Sequence, residues 1–83
     1  MLTRMWREKN RAIVTILQAS RREAGLTQRQ LVERLPKWLG WDASTLAKVE
    51  TGRRRLDIVE FIEIAKALKL EPMKLFERAV RWR

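Results

Sequence analysis

The chain has 83 residues, of which 46% are hydrophobic and 35% charged, with no Cys, no His and a formal net charge of +9. That length holds one domain with a small core. Without Cys or His there is no disulfide, no thiolate zinc site and no usual neutral-pH base, so an enzyme, a metal or a cofactor is not expected.

A single domain is expected over residues 1–83, with no second domain for an effector pocket. The basic excess is uneven: residues 1–25 hold six basic and two acidic side chains, 26–56 seven and three, and 57–83 six and five. Such a field attracts polyanions, nucleic acid first and an anionic membrane second, with a merely soluble basic surface as the plain alternative. The only early apolar run, Ala12 to Leu17, is short, is interrupted by Thr15 and lacks a small-residue cleavage site, so a cytoplasmic protein is expected. No stretch reaches the roughly 20 apolar residues of a membrane span.

In chain order, Asn10 to Ala24 reads as a first helix, starting as early as Thr3, with Ile13, Ile16 and Leu17 on one face and Gly25 just past its end. Thr27 and Gln30 form a capping box for a second helix through Leu31, Val32 and Leu35, with Leu26 and Leu31 at the staple positions and Pro36 ending it. Asp42 caps a third helix over residues 43–51, with Trp41 and Leu46 as its staple and Gly52 as its stop. Asp57 and Glu60 make another capping box, with Leu56 and Phe61 beside it, for a helix over 58–69. Glu71-Pro72 opens a fifth helix over 72–81.

The predicted fold class is therefore all-α, five short helices around Ile13, Leu17, Leu31, Leu35, Leu46, Val49, Phe61, Ile64, Ala65, Leu68, Leu75 and Phe76. Two short helices joined by a turn, the second preceding a basic turn, is the helix-turn-helix layout, in which the second helix enters the major groove. That spacing also fits other small helical bundles.

The residues narrow the choice. Arg21-Arg22-Glu23-Ala24-Gly25-Leu26-Thr27-Gln28, Leu31, Ser44-Thr45-Leu46, Val49-Glu50-Thr51-Gly52-Arg53-Arg54 and Ile64-Ala65-Lys66-Ala67-Leu68 stand in that order, and over about residues 12–76 the chain resembles the phage-repressor-like Xre/Cro helix-turn-helix family. The resemblance implies a compact five-helix repressor-like domain that binds operator DNA as a homodimer. By position it implies base contacts from Ala43, Ser44 and Lys48: Lys48 can donate to guanine O6 or N7, Ser44 can donate or accept, and Ala43 can pack on a thymine methyl. It implies phosphate contacts from Gln28, Thr45, Arg53, Arg54 and Arg55, which fix register without reading sequence. It makes Arg21 and Glu50 a partly buried structural ion pair rather than a DNA contact. For each of these the plain alternative is a solvated surface side chain.

The chain also departs from the family. Thr27 and Ser44 stand four residues further apart than is usual, about one helical turn, so the turn of the helix-turn-helix is lengthened at Pro36-Lys37-Trp38-Leu39. The insertion is either a bulged loop or a short extra turn ending at Gly40. Trp38 and Trp41 either pack over it or face DNA as amphipathic donors. Lys69 stands where many members have Gly, and Trp82 with Ala79 and Val80 makes the C-terminal region apolar enough for a dimer contact.

The expected partners are double-stranded DNA with a near-palindromic operator and a second copy of the chain, with a toxin or other protein as a further candidate. The expected function is a sequence-specific transcriptional regulator, a repressor. The competing reading is a protein-interaction module or antitoxin-type protein using Trp38, Trp41 and Trp82. An enzyme has little support, because Glu60 and Glu63 sit at ordinary helical spacing and nothing activates a nucleophile.

Overall fold

In the computed structural model, which describes residues 3–81, Thr3 takes extended backbone and its hydroxyl accepts from the Trp6 amide at 3.0 Å. That cap starts α1, Arg4–Glu23, at the earlier of the two expected positions. Thr27 and Gln30 make both bonds of their capping box, at 3.1 and 2.9 Å, and open α2, Gln28–Glu33. Pro36 shortens this helix more than expected. It has no amide to donate to Val32, so the chain leaves through tighter bonds, Arg34 to Leu31 and Leu35 to Val32, and the α-helix stops before Leu35.

The insertion is an extra turn. Residues Lys37–Leu39 wind into a short 3₁₀ segment, and Gly40 closes it with φ of 72°, the left-handed region where a side chain is strained. Asp42 then accepts from the Thr45 amide at 2.8 Å and starts α3, Ala43–Glu50. The second capping box, Asp57 with Glu60, opens α4, Ile58–Ala67, which ends two residues before its expected limit. Glu71 accepts weakly from the Met73 and Lys74 amides and α5 runs from Pro72 to Arg81.

The described residues are thus all-helical, five α-helices with the lengthened turn between α2 and α3. None of these helices is long and apolar enough to cross a membrane. Helix α1 packs on α3 and α5, α2 on α3, and α4 on α5. The core joins Ile16 and Leu17 to Leu31, Leu46, Ile64 and Leu75, with Leu26, Trp41 and Leu56 packed at its edge where the staples put them.

Of the expected core residues, Ile13 packs at the edge of the core and Phe76 lies outside it. Ile13 is half-buried, and Phe76 is 43% exposed, touching Phe61 edge-on at 6.1 Å. On α5 the inward pair is Leu75 and Ala79, one turn apart, and Phe76 is rotated about 100° from Leu75. Val14 and Ala79 are buried although the pattern did not select them.

Candidate nucleic-acid interface

Glu50, the last residue of α3, is the point where three helices meet. Its carboxylate accepts from Arg21 twice, Nε at 2.8 Å and Nη2 at 3.0 Å, from Gln28 Nε2 at 2.8 Å and, longer, from Gln18 Nε2 at 3.4 Å. The third Arg21 nitrogen, Nη1, donates to the Leu26 carbonyl at 2.7 Å. The Arg21 and Glu50 side chains are 8% and 3% exposed. A charge pair taken this far out of water is tolerated only when its remaining hydrogen-bond capacity is filled, and here α1, α2 and the α1–α2 turn fill it. The consequence is geometric: α3 cannot rotate against α1 or α2 without stranding a buried charge.

On the helix so fixed, Ser44 and Lys48 are exposed one turn apart, and Ala43 is half-buried. Thr45 is committed to its own cap. Its hydroxyl donates to the Asp42 carboxylate at 3.0 Å and its amide donates to the same oxygen, and the two bonds hold that carboxyl below its ordinary pKa. Gln28 is half-buried with one amide hydrogen on Glu50, leaving the other as its free donor.

The arginine run is not one patch. Gly52 ends α3 with φ of 78°, bonding back through Gly52 to Val49 and Arg53 to Lys48, and the three arginines then diverge. Arg53 is exposed. Arg54 turns inward, its two terminal nitrogens donating to Glu60 at 3.0 and 2.9 Å and its guanidinium lying 5.1 Å from the Trp41 ring centre. Arg55 is exposed but stacks on Trp6 of α1 at 5.1 Å.

Trp41 is therefore a packing residue of the insertion, half-buried under Arg54, whereas Trp38 is 67% exposed at the tip of the extra turn. Trp82 lies outside the described residues. The Arg54 guanidinium, with the Asp57 amide, holds the Glu60 carboxyl below the usual range, and Glu60 in turn raises Arg54. The buried Trp41 N–H has no partner at full hydrogen-bond geometry, yet lies near enough to Glu60 to help keep it ionised.

Sequence reasoning missed Gln18 and the second role of Glu60. Gln18 stands three residues before Arg21, a same-face spacing that was available as a signal. Glu60 was legible only as the third residue of a capping box, because no periodicity links it to Arg54.

A short helix locked at its end, led in by a capped partner helix and followed by a basic turn, defines the helix-turn-helix class. The family model described as a helix-turn-helix domain matches residues 12–75. A solved structure, an XRE-family like protein from Pseudomonas syringae pv. tomato str. DC3000, is similar at 30% identity with a TM-score of 0.75, over 87% of this chain and 83% of that one. No curated protein matches. The chain belongs to the Xre-type helix-turn-helix family, and its general function is that of a DNA-binding regulator.

Proposed function

We propose that this protein is a sequence-specific transcriptional repressor that binds double-stranded DNA in the cytoplasm as a homodimer, with α3 in the major groove. The observation that carries the reading is the Glu50 junction, which sets the angle of α3 while leaving Ser44 and Lys48 exposed on it. In this reading Lys48 reads a guanine, Ser44 and Ala43 read its neighbours, and Arg53, Arg55 and Gln28 meet phosphates, while Thr45 serves the cap of α3, since both its donors are on Asp42. Arg54 serves by holding the turn, since its donors are on Glu60.

The dimer surface in this reading is the apolar groove of about 430 Å³ between α1 and α5, lined by Met5, Ile13, Phe76 and Val80 among others. Two-fold pairing would set the reading helices roughly 34 Å apart on a near-palindromic site. Selection of bound duplexes from a random pool tests this directly. A palindromic consensus supports it; winners with no common sequence defeat it.

A second reading, a protein-interaction module of the antitoxin type, is favoured by one feature, the exposed Trp38 on the inserted turn. Trp38→Ala distinguishes the two. Unchanged DNA affinity with loss of a toxin or other protein partner would favour the module.

A further inference from the structure

We propose that the first two turns of α1 form a second phosphate-binding element, in which Arg7 and Arg11 clamp the DNA backbone beside Arg53 and Arg55. The proposal rests on the DNA-binding reading above and extends it to residues that precede the matched family region, which starts at residue 12.

A cleft of about 190 Å³ separates this part of α1 from the end of α3. One wall carries Trp6, Arg7, Asn10 and Arg11; the other carries Glu50, Thr51 and Gly52. Arg7 and Arg11 are one turn apart, about 6 Å along the axis, and so share a face. Both are exposed, and among the described residues neither they nor Arg53 or Arg55 make an ion pair. The only carboxylate lining the cleft among the described residues, Glu50, is already filled by Arg21, Gln18 and Gln28. Asn10 on the same wall is 9% exposed and makes no side-chain hydrogen bond among the described residues. The cleft is therefore cationic and carries unfilled donors, which is the chemistry that accepts a phosphodiester.

The Trp6–Arg55 stack joins the α1 wall of the cleft to the basic turn that follows α3. A guanidinium on an indole uses its face and leaves the edge N–H groups free, so Arg55 is held in place with its donors still available. The contrast with Arg54, whose donors are on Glu60, follows from the same geometry.

Binding of a mixed-sequence duplex, followed by fluorescence anisotropy over a salt series, tests the clamp. Two double variants are compared with the wild type: Arg7→Gln with Arg11→Gln in the cleft, and Lys66→Gln with Lys74→Gln, which remove the same charge from α4 and α5. All four side chains are exposed, so both variants should keep the wild-type unfolding midpoint.

The expected result is that the slope of log K against log salt becomes shallower by about 1.8 in the cleft variant alone, two contacts at roughly 0.9 each. Low-salt affinity should fall with it, while the selected consensus stays the same. Equal losses in both variants would assign the effect to the overall field and overturn the clamp. Wild-type behaviour of the cleft variant would also overturn it, leaving the DNA-binding reading intact. A wild-type protein without salt-dependent DNA binding would overturn both.

Discussion

Arg54 donates both terminal guanidinium nitrogens to the Glu60 carboxylate, at 3.0 and 2.9 Å, while its face covers the Trp41 ring. Three segments are tied by this one side chain: the link at Trp41 between the inserted turn and α3, the basic turn after α3, and the first turn of α4. Because Glu60 is also the capping-box partner of Asp57, the start of α4 is coupled to the lengthened turn.

Arg54→Ala is accordingly a stability variant. It leaves a nearly buried carboxylate without its cation, and a loss of about 1–3 kcal/mol is expected in denaturant unfolding. Arg53→Ala, by contrast, should keep wild-type stability and weaken binding to all duplexes alike. Equal stability of the two variants would contradict this division of the arginine run.

Removing one partner of the Glu50 junction should cost more. Glu50→Ala strands the Arg21 guanidinium in a site where it is 8% exposed, with an expected loss of about 3–5 kcal/mol. The double variant Arg21→Met with Glu50→Met should recover much of that loss, because the desolvation penalty disappears with the charges. Thermal unfolding of the two variants and the wild type provides the comparison.

Lys48→Ala should relax preference at one base position, with discrimination there falling by about 1–3 kcal/mol, while phosphate-driven affinity persists. Binding to a selected duplex and to its single-base variants measures this. A uniform drop across all of them would show that Lys48 contacts the backbone.

Lys69 follows α4 with φ of 60° in a cap where Lys69 bonds back to Lys66 and Leu70 to Ala65. The left-handed region crowds its Cβ against the backbone. Lys69→Gly should therefore stabilise the protein by about 1 kcal/mol, raising Tm by about 4–8 °C. A lowered Tm would mean that the lysine makes an offsetting contact.

Acid should unfold the protein partly through Glu60 and Asp42, whose carboxyls are held low by Arg54 and by the Thr45 donors respectively. A carboxyl with a lower pKa folded than unfolded stabilises fully above its unfolded value, about 4. That contribution disappears as pH falls through the lower folded value. Stability measured between pH 6 and pH 3, as about the range where carboxylates protonate, should decline at the acid end, less steeply in Glu60→Gln.

What the sequence determined by itself is local. The caps at Thr27, Asp42 and Asp57, and the breaks at Gly25, Pro36 and Gly52, depend on contacts within about four residues, so their helices were legible in order and nearly in length. The residue blocks around Arg21, Ser44 and Glu50 carried the family. Tertiary structure alone decided how the side chains are shared out: Gln18 and Gln28 join Arg21 on Glu50, Arg54 turns to Glu60, Arg55 meets Trp6, and the insertion winds up with Trp41 packed and Trp38 exposed. Three neighbouring arginines are alike as letters. Arg54 meets Glu60 of α4, Arg55 meets Trp6 of α1 and Arg53 stays exposed, and the angles at which those helices pack separate the arginine that holds the fold from those left with donors to offer.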